Sequence, residues 1–130
     1  MDAHGIVVAQ VFTSEARIPI ENAVVLITKK LPGSGRRLIA FRMTDAEGFT
    51  SPAAVTTPPP EDSQSEPGGS PPFVTVDLLA EKPGYDRVLV EDAQVFPGVE
   101  TLQAFMLVPT PELPDAYDRT EIIQVSAQPL

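Results

Sequence analysis

Apolar and polar positions alternate with a period of two along most of this chain, in short runs broken by proline and glycine. No stretch carries a sustained 3.6-residue apolar stripe, so helix content is expected to be near nil. Gly5 to Thr13, GIVVAQVFT, is β-branched and mildly alternating, and predicts a first strand. Asn22 to Lys30, NAVVLITKK, predicts a second, with Val24, Leu26 and Thr28 on one face and Val25, Ile27 and Lys29 on the other. Apolar side chains on both faces mark a central or covered strand. Leu31-Pro32-Gly33-Ser34-Gly35 cannot continue a ladder and predicts a turn, after which Leu38 to Thr44 returns. In Asp45-Ala46-Glu47-Gly48 the aspartate is expected to accept backbone N–H bonds within its own turn, while Gly48 closes it at positive φ. Phe49 to Val55 follows as a short extended segment.

Phe73 to Glu81 alternates cleanly, Pro83-Gly84-Tyr85 turns the chain, and Val88, Val90 and Asp92 lead away. The Tyr85 ring is expected to fold back over the end of the body. A second turn at Phe96 to Val99 precedes a last strand, Thr101 to Val108. Residues 56–72 hold six prolines and two glycines in 17 positions, too many for a sheet or a helix, and predict an exposed loop. About seven short strands punctuated by turns predict an all-β, antiparallel Greek-key β-sandwich. The 130 residues suffice for one such domain over residues 1–109, a stiff polar linker over 110–119 and a C-terminal extension over 120–130. The six phenylalanines are assigned mostly to its core.

Charge adds an asymmetry. The net charge is -9, which argues against nucleic acid as a partner. Yet Lys29, Lys30, Arg36, Arg37 and Arg42 lie together with no acid among them, while from Met43 onward fifteen acids face three bases. Such a distribution suits either a solvated hairpin tip or head-to-tail orientation of copies. No apolar run approaches the roughly 20 residues of a membrane span, and the first residues carry no recognisable signal peptide.

Candidate chemistry is sparse. With no cysteine, disulfides and thiolate chemistry are absent. His4 is the one histidine, expected in a loose terminus, and no H-E-x-x-H pattern or phosphate-cradling glycine loop occurs. The carboxylate pairs Asp45/Glu47, Glu61/Asp62 and Glu91/Asp92 do not follow a calcium-loop pattern, and neighbours on a strand point to opposite faces. No cofactor or metal is expected. Sugar stacking would need exposed aromatic rings, for which Tyr85 and Tyr117 are candidates, with Phe49 or Phe73 beside them.

Five motifs in order carry a likeness: Gly5 to Val11, Ile18 to Ile27 with Pro19 and Ala23, Thr44-Asp45-Ala46-Glu47-Gly48, Glu81 to Tyr85, and Leu107 to Pro109. Together they resemble the bacterial carboxypeptidase-regulatory-like domains, which are transthyretin-like (immunoglobulin-like) β-sandwiches and mostly non-catalytic accessory or structural modules. The proline-rich insert before Phe73 is similar to that of a sub-group in spore-forming Firmicutes, found beside cell-wall or spore-associated modules. The hydroxyisourate hydrolase branch of the superfamily would need several histidines and a Tyr-Arg-Gly-Ser type ending, and this chain ends Ala127-Gln128-Pro129-Leu130. The resemblance therefore implies a protein that is not an enzyme.

The extension contains one further strand pattern, Thr120 to Gln128, whose apolar Ile122, Ile123 and Val125 are too few to fold alone. It can return to an edge of its own sheet, dock on a neighbouring copy or stay unordered. Added to a neighbour's sheet edge, it would propagate a filament of identical subunits. Lys29, Lys30, Arg36 and Arg37 would assist at the interface. The expected function is a self-assembling structural module at a bacterial cell or spore surface, with cell-wall or spore components as further partners and no membrane. A cytoplasmic location stays open. The alternative is an accessory domain recognising a polysaccharide or protein.

Overall fold

The computed structural model describes residues 3–59, 72–110 and 120–124, and these form a two-sheet β-sandwich. The strands are β1 (Ala3–Thr13), β2 (Val24–Lys30), β3 (Arg36–Met43), β4 (Ala53–Thr57), β5 (Val74–Glu81), β6 (Arg87–Val95), β7 (Glu100–Leu107) and β8 (Thr120–Gln124). The smaller sheet has the order β4-β1-β7 and the larger β3-β2-β5-β6-β8. The expected all-β sandwich is thus present. Its pairings are mixed, because β1 runs parallel to β7 and β8 runs parallel to β6. Alternation fixes which face a residue takes but not which strand lies beside it, so the parallel pairs carried no signal.

The core follows the period-two rule. Val7, Ala9 and Val11 of β1 face Val25 and Ile27 of β2, Val76, Leu78 and Ala80 of β5, and Val88 and Val90 of β6 within one buried cluster. Apart from Leu78 these are small or β-branched residues, which interdigitate between sheets stacked about 10 Å apart. The assignment of the phenylalanines to the core is overturned: Phe105 is buried, but Phe41 is 52% exposed and Phe73 39%. A layer filled by valines leaves little room for rings. The loop expected over residues 56–72 is also corrected at its start, since Thr56 and Thr57 belong to β4 and pair with His4 and Ala3. His4 accordingly sits in β1 with an exposed side chain, not in a loose terminus.

Two local motifs set the frame. Asp45 Oδ1 accepts from the N–H groups of Glu47 (2.9 Å) and Phe49 (3.0 Å), and Gly48 closes the turn at φ 83°. Beside it the buried Thr44 hydroxyl accepts from Ala23 N–H (2.9 Å) and donates to the Ile20 carbonyl (2.6 Å). That pair of bonds fixes the residues before β2 to those after β3. At the same end of the larger sheet, where Val24 pairs with both Met43 and Glu81, the turn at Pro83-Gly84-Tyr85 receives the chain leaving β7. The Asp86 N–H donates to the Val108 carbonyl (2.8 Å) and the Thr110 N–H to the Gly84 carbonyl (2.9 Å). Tyr85 is half-buried against the core, as expected, and bridges to Pro109.

Candidate interaction surface

Three features of the larger sheet bear on function. The first is its outer edge, where β8 adds a fifth strand to β6 with Leu89 opposite Ile122 and Val90 opposite Ile123. The Thr110 hydroxyl donates to Asp86 (3.1 Å), and Thr120 stands opposite the next residue, Arg87. Thr110 and Thr120 are therefore close together along the sheet. Ile123 is 44% exposed, so its burial against this body is partial. Val125 and Tyr117 lie outside the described residues.

The second is an ionic cluster on the outer face. Asp77 interrupts a strand otherwise typical of a sandwich interior, and only 1% of it is exposed. Its Oδ1 accepts from the Asp92 N–H at 3.0 Å, across a register shift where Glu91 and Asp92 together oppose it. Asp92 adopts φ 62°, a conformation that aspartate tolerates better than most residues. A bulge of this kind turns two successive side chains the same way. The expectation that Glu91 and Asp92 point to opposite faces is corrected on that ground: Lys30 Nζ lies 3.5 Å from Glu91 and 3.0 Å from Asp92. Lys30 also stands 3.6 Å from Asp77 Oδ1, and Arg36 stands 3.4 Å from Oδ2, an oxygen that receives no hydrogen bond. The Asp92 hydrogen bond and the surrounding carboxylates hold the Lys30 ammonium above its ordinary value of 10.5, against the opposing effect of burial.

Lys30 and Arg36, expected at an assembly interface, are thus matched within the chain. Arg42 is also engaged, donating to the carbonyls of Phe41 (2.9 Å) and Pro52 (3.3 Å). Lys29 and Arg37 are different. They are register partners one rung inward on the opposite face, and they line a groove of about 380 Å³ with Leu38, Ile39, Ala54, Val55 and Thr56. The third feature is this groove.

Sequence reasoning missed Asp77 and the bulge. A signal existed: buried positions in β6 run Val88, Val90, then Ala93, Val95, so the parity of the pattern changes between 90 and 93. An outward row of register partners, Phe41, Leu26, Leu79 and Leu89, also crosses the larger sheet toward the position of Ile122. Among the described residues, no group of three or more His, Cys, Asp or Glu side chains is arranged to hold a metal ion, and no helix is long and apolar enough to cross a membrane.

No protein-family model and no curated protein matches the chain. Solved structures do. A catechol 1,2-dioxygenase from Pseudomonas arvilla C-1 superposes with a TM-score of 0.51 and 16% identity, over 91% of this chain and 56% of that one. Wild-type Acinetobacter radioresistens catechol 1,2-dioxygenase gives 0.50 and 17%, over 98% and 57%. The Bacillus anthracis TIE protein gives 0.50 and 12%, over 83% of this chain and 17% of that one. The chain spans less than three-fifths of each of these proteins, and at such identities the likeness is one of fold: a β-sandwich matched within part of a longer chain.

Proposed function

We propose that this domain is a non-enzymatic interaction module that joins identical subunits by exchange of its C-terminal strand, in an assembly at a bacterial cell or spore surface. The observation that carries the reading is β8 itself, which is held as an added strand at a sheet edge. Strand addition supplies main-chain hydrogen bonds whichever copy donates the strand. Residues 111–119 separate Thr110 from Thr120, and that length of chain reaches about 30 Å when extended, so the β6 edge of a neighbour is within range. Donated head to tail and not reciprocally, such a strand makes a heterologous contact, which propagates a filament instead of closing a dimer. The motif resemblance to carboxypeptidase-regulatory-like modules and their spore-associated relatives supports the surface setting.

Light scattering and negative-stain microscopy on the full chain and on a version ending at Pro109 test the reading. Large particles that disappear on truncation are expected. Monomers for both chains would overturn it.

A second reading, recognition of a polysaccharide or protein ligand, is favoured by one observation. Phe73 is 39% exposed and its ring stands 5.5 Å from that of Phe96, tilted by 48°. An exposed ring backed by a half-buried one suits stacking against a sugar face. Loss of glycan retention in Phe73→Ala, with unchanged particle size, would select this reading over assembly.

A further inference from the structure

We infer that the groove lined by Lys29 and Arg37 is a second docking site, which takes an extended acidic peptide strand from a partner chain. β3 and β4 are the terminal strands of the two sheets, and both contribute to the groove. Among the described residues, each has a sheet neighbour on one side only, leaving a row of backbone N–H and C=O groups, which is what an incoming strand needs. The volume, about 380 Å³, falls within the roughly 300–1,000 Å³ of ligand clefts. By contrast, the groove near Phe96 and Leu102 is about 270 Å³ and has no cation in its lining.

Charge decides the class of occupant. Lys29 and Arg37 share the inward face of the hairpin with Val25 and Ile27, beyond the end of the core. One rung along, Lys30 and Arg36 meet Asp77 and Glu91, and Lys30 meets Asp92 as well. No described carboxylate performs that service for Lys29 and Arg37. Two adjacent cations against the apolar Leu38, Ile39 and Val55 select a strand that alternates carboxylates with aliphatic side chains. A second copy pairing β3 against β3 is disfavoured, because Arg36–Met43 brings three arginines and no carboxylate to the groove. The site is separate from the β6 edge and does not depend on strand exchange there.

The test uses the full chain and a fluorescein-labelled peptide of three Glu-Val repeats, with a Gln-Val peptide as control, at low salt. Binding of the acidic peptide is expected, with amide shifts at Leu38, Ile39, Ala54 and Thr56. It should weaken at least tenfold in the Lys29→Gln, Arg37→Gln double variant and decline as salt rises. Because neither cation has an ion pair to lose among the described residues, the variant should keep the native urea midpoint, so a loss of binding is not a loss of fold. Equal affinity for the Gln-Val peptide, or an unchanged affinity in the double variant, would overturn the proposal. So would binding seen only after the chain's own Glu61, Asp62 and Glu66 are neutralised, because the carboxylates served would then be internal.

Discussion

Asp77 Oδ1 accepts a hydrogen bond from the Asp92 N–H at 3.0 Å, and through it a buried carboxylate holds a bulge in the strand beside it. The same carboxylate draws in Lys30 and Arg36 from the β2–β3 hairpin, so one side chain ties its own strand to three others. Without it, the Asp92 N–H loses its acceptor and two cations lose their nearest buried anion. Asp77→Ala is expected to cost about 1–3 kcal/mol, the range for orphaning a part-buried polar group. Asp77→Asn, which keeps an acceptor, should cost less. The urea midpoints of the two variants check the order, and equal midpoints would refute it.

Lys30 gives the cluster a pH dependence. Its folded-state value is raised above 10.5. A raised ammonium contributes stability in full below the unfolded value and loses it as pH rises through the folded one. The stability difference between the native chain and Lys30→Met is therefore expected to be flat up to about pH 10 and to shrink above 10.5. Urea midpoints from pH 8 to 12 measure it. A difference that grows with pH would contradict the sign.

The turn at Gly48 is intolerant for two reasons. Its φ is 83°, and a Cβ there would stand 2.6 Å from the Val11 carbonyl oxygen. Gly84 has a similar φ of 90° but open space around it. Gly84→Ala should therefore cost only the left-handed backbone penalty, about 1–2 kcal/mol. Gly48→Ala should exceed it by a clear margin in thermal or urea unfolding. Equal costs would show that the backbone conformation alone matters.

Thr44 is a separate test of polar satisfaction. Its hydroxyl bonds both Ala23 N–H and the Ile20 carbonyl while 3% exposed. Thr44→Val keeps the shape but leaves the Ala23 N–H without its acceptor and the Ile20 carbonyl without its donor. A loss of about 1–3 kcal/mol is expected, and Thr44→Ser should recover most of it.

How far the sequence reveals this molecule depends on how local the cause is. The Asp45–Gly48 turn was legible because its bonds join residues at most four apart. The strands were legible because burial imposes period two on Val7, Ala9 and Val11 and on Val76, Leu78 and Ala80. The parallel partnership of β1 with β7 was not, because Val8 opposite Leu102 is a choice among surfaces that alternation leaves equivalent. The basic hairpin was visible as charge, but its division into Lys30 and Arg36, matched within the chain, and Lys29 and Arg37, unmatched among the described residues, needed the fold. That division depends on the two faces of β2 and on a bulge whose Asp92 lies 62 residues beyond Lys30.

The most direct test of strand exchange uses the register of Leu89 opposite Ile122. The chain has no cysteine, so every disulfide formed by introduced residues reports one contact. Neighbouring strands lie about 4.8 Å apart, within the Cα separation of about 4.4–6.8 Å that a disulfide accepts. One preparation carries Leu89→Cys, another Ile122→Cys, and the two are mixed under mild oxidation. Exchange predicts disulfide-linked mixed dimers. If the mixture stays unlinked while a chain carrying both substitutions bridges internally, the strand serves its own body alone and the assembly account is wrong.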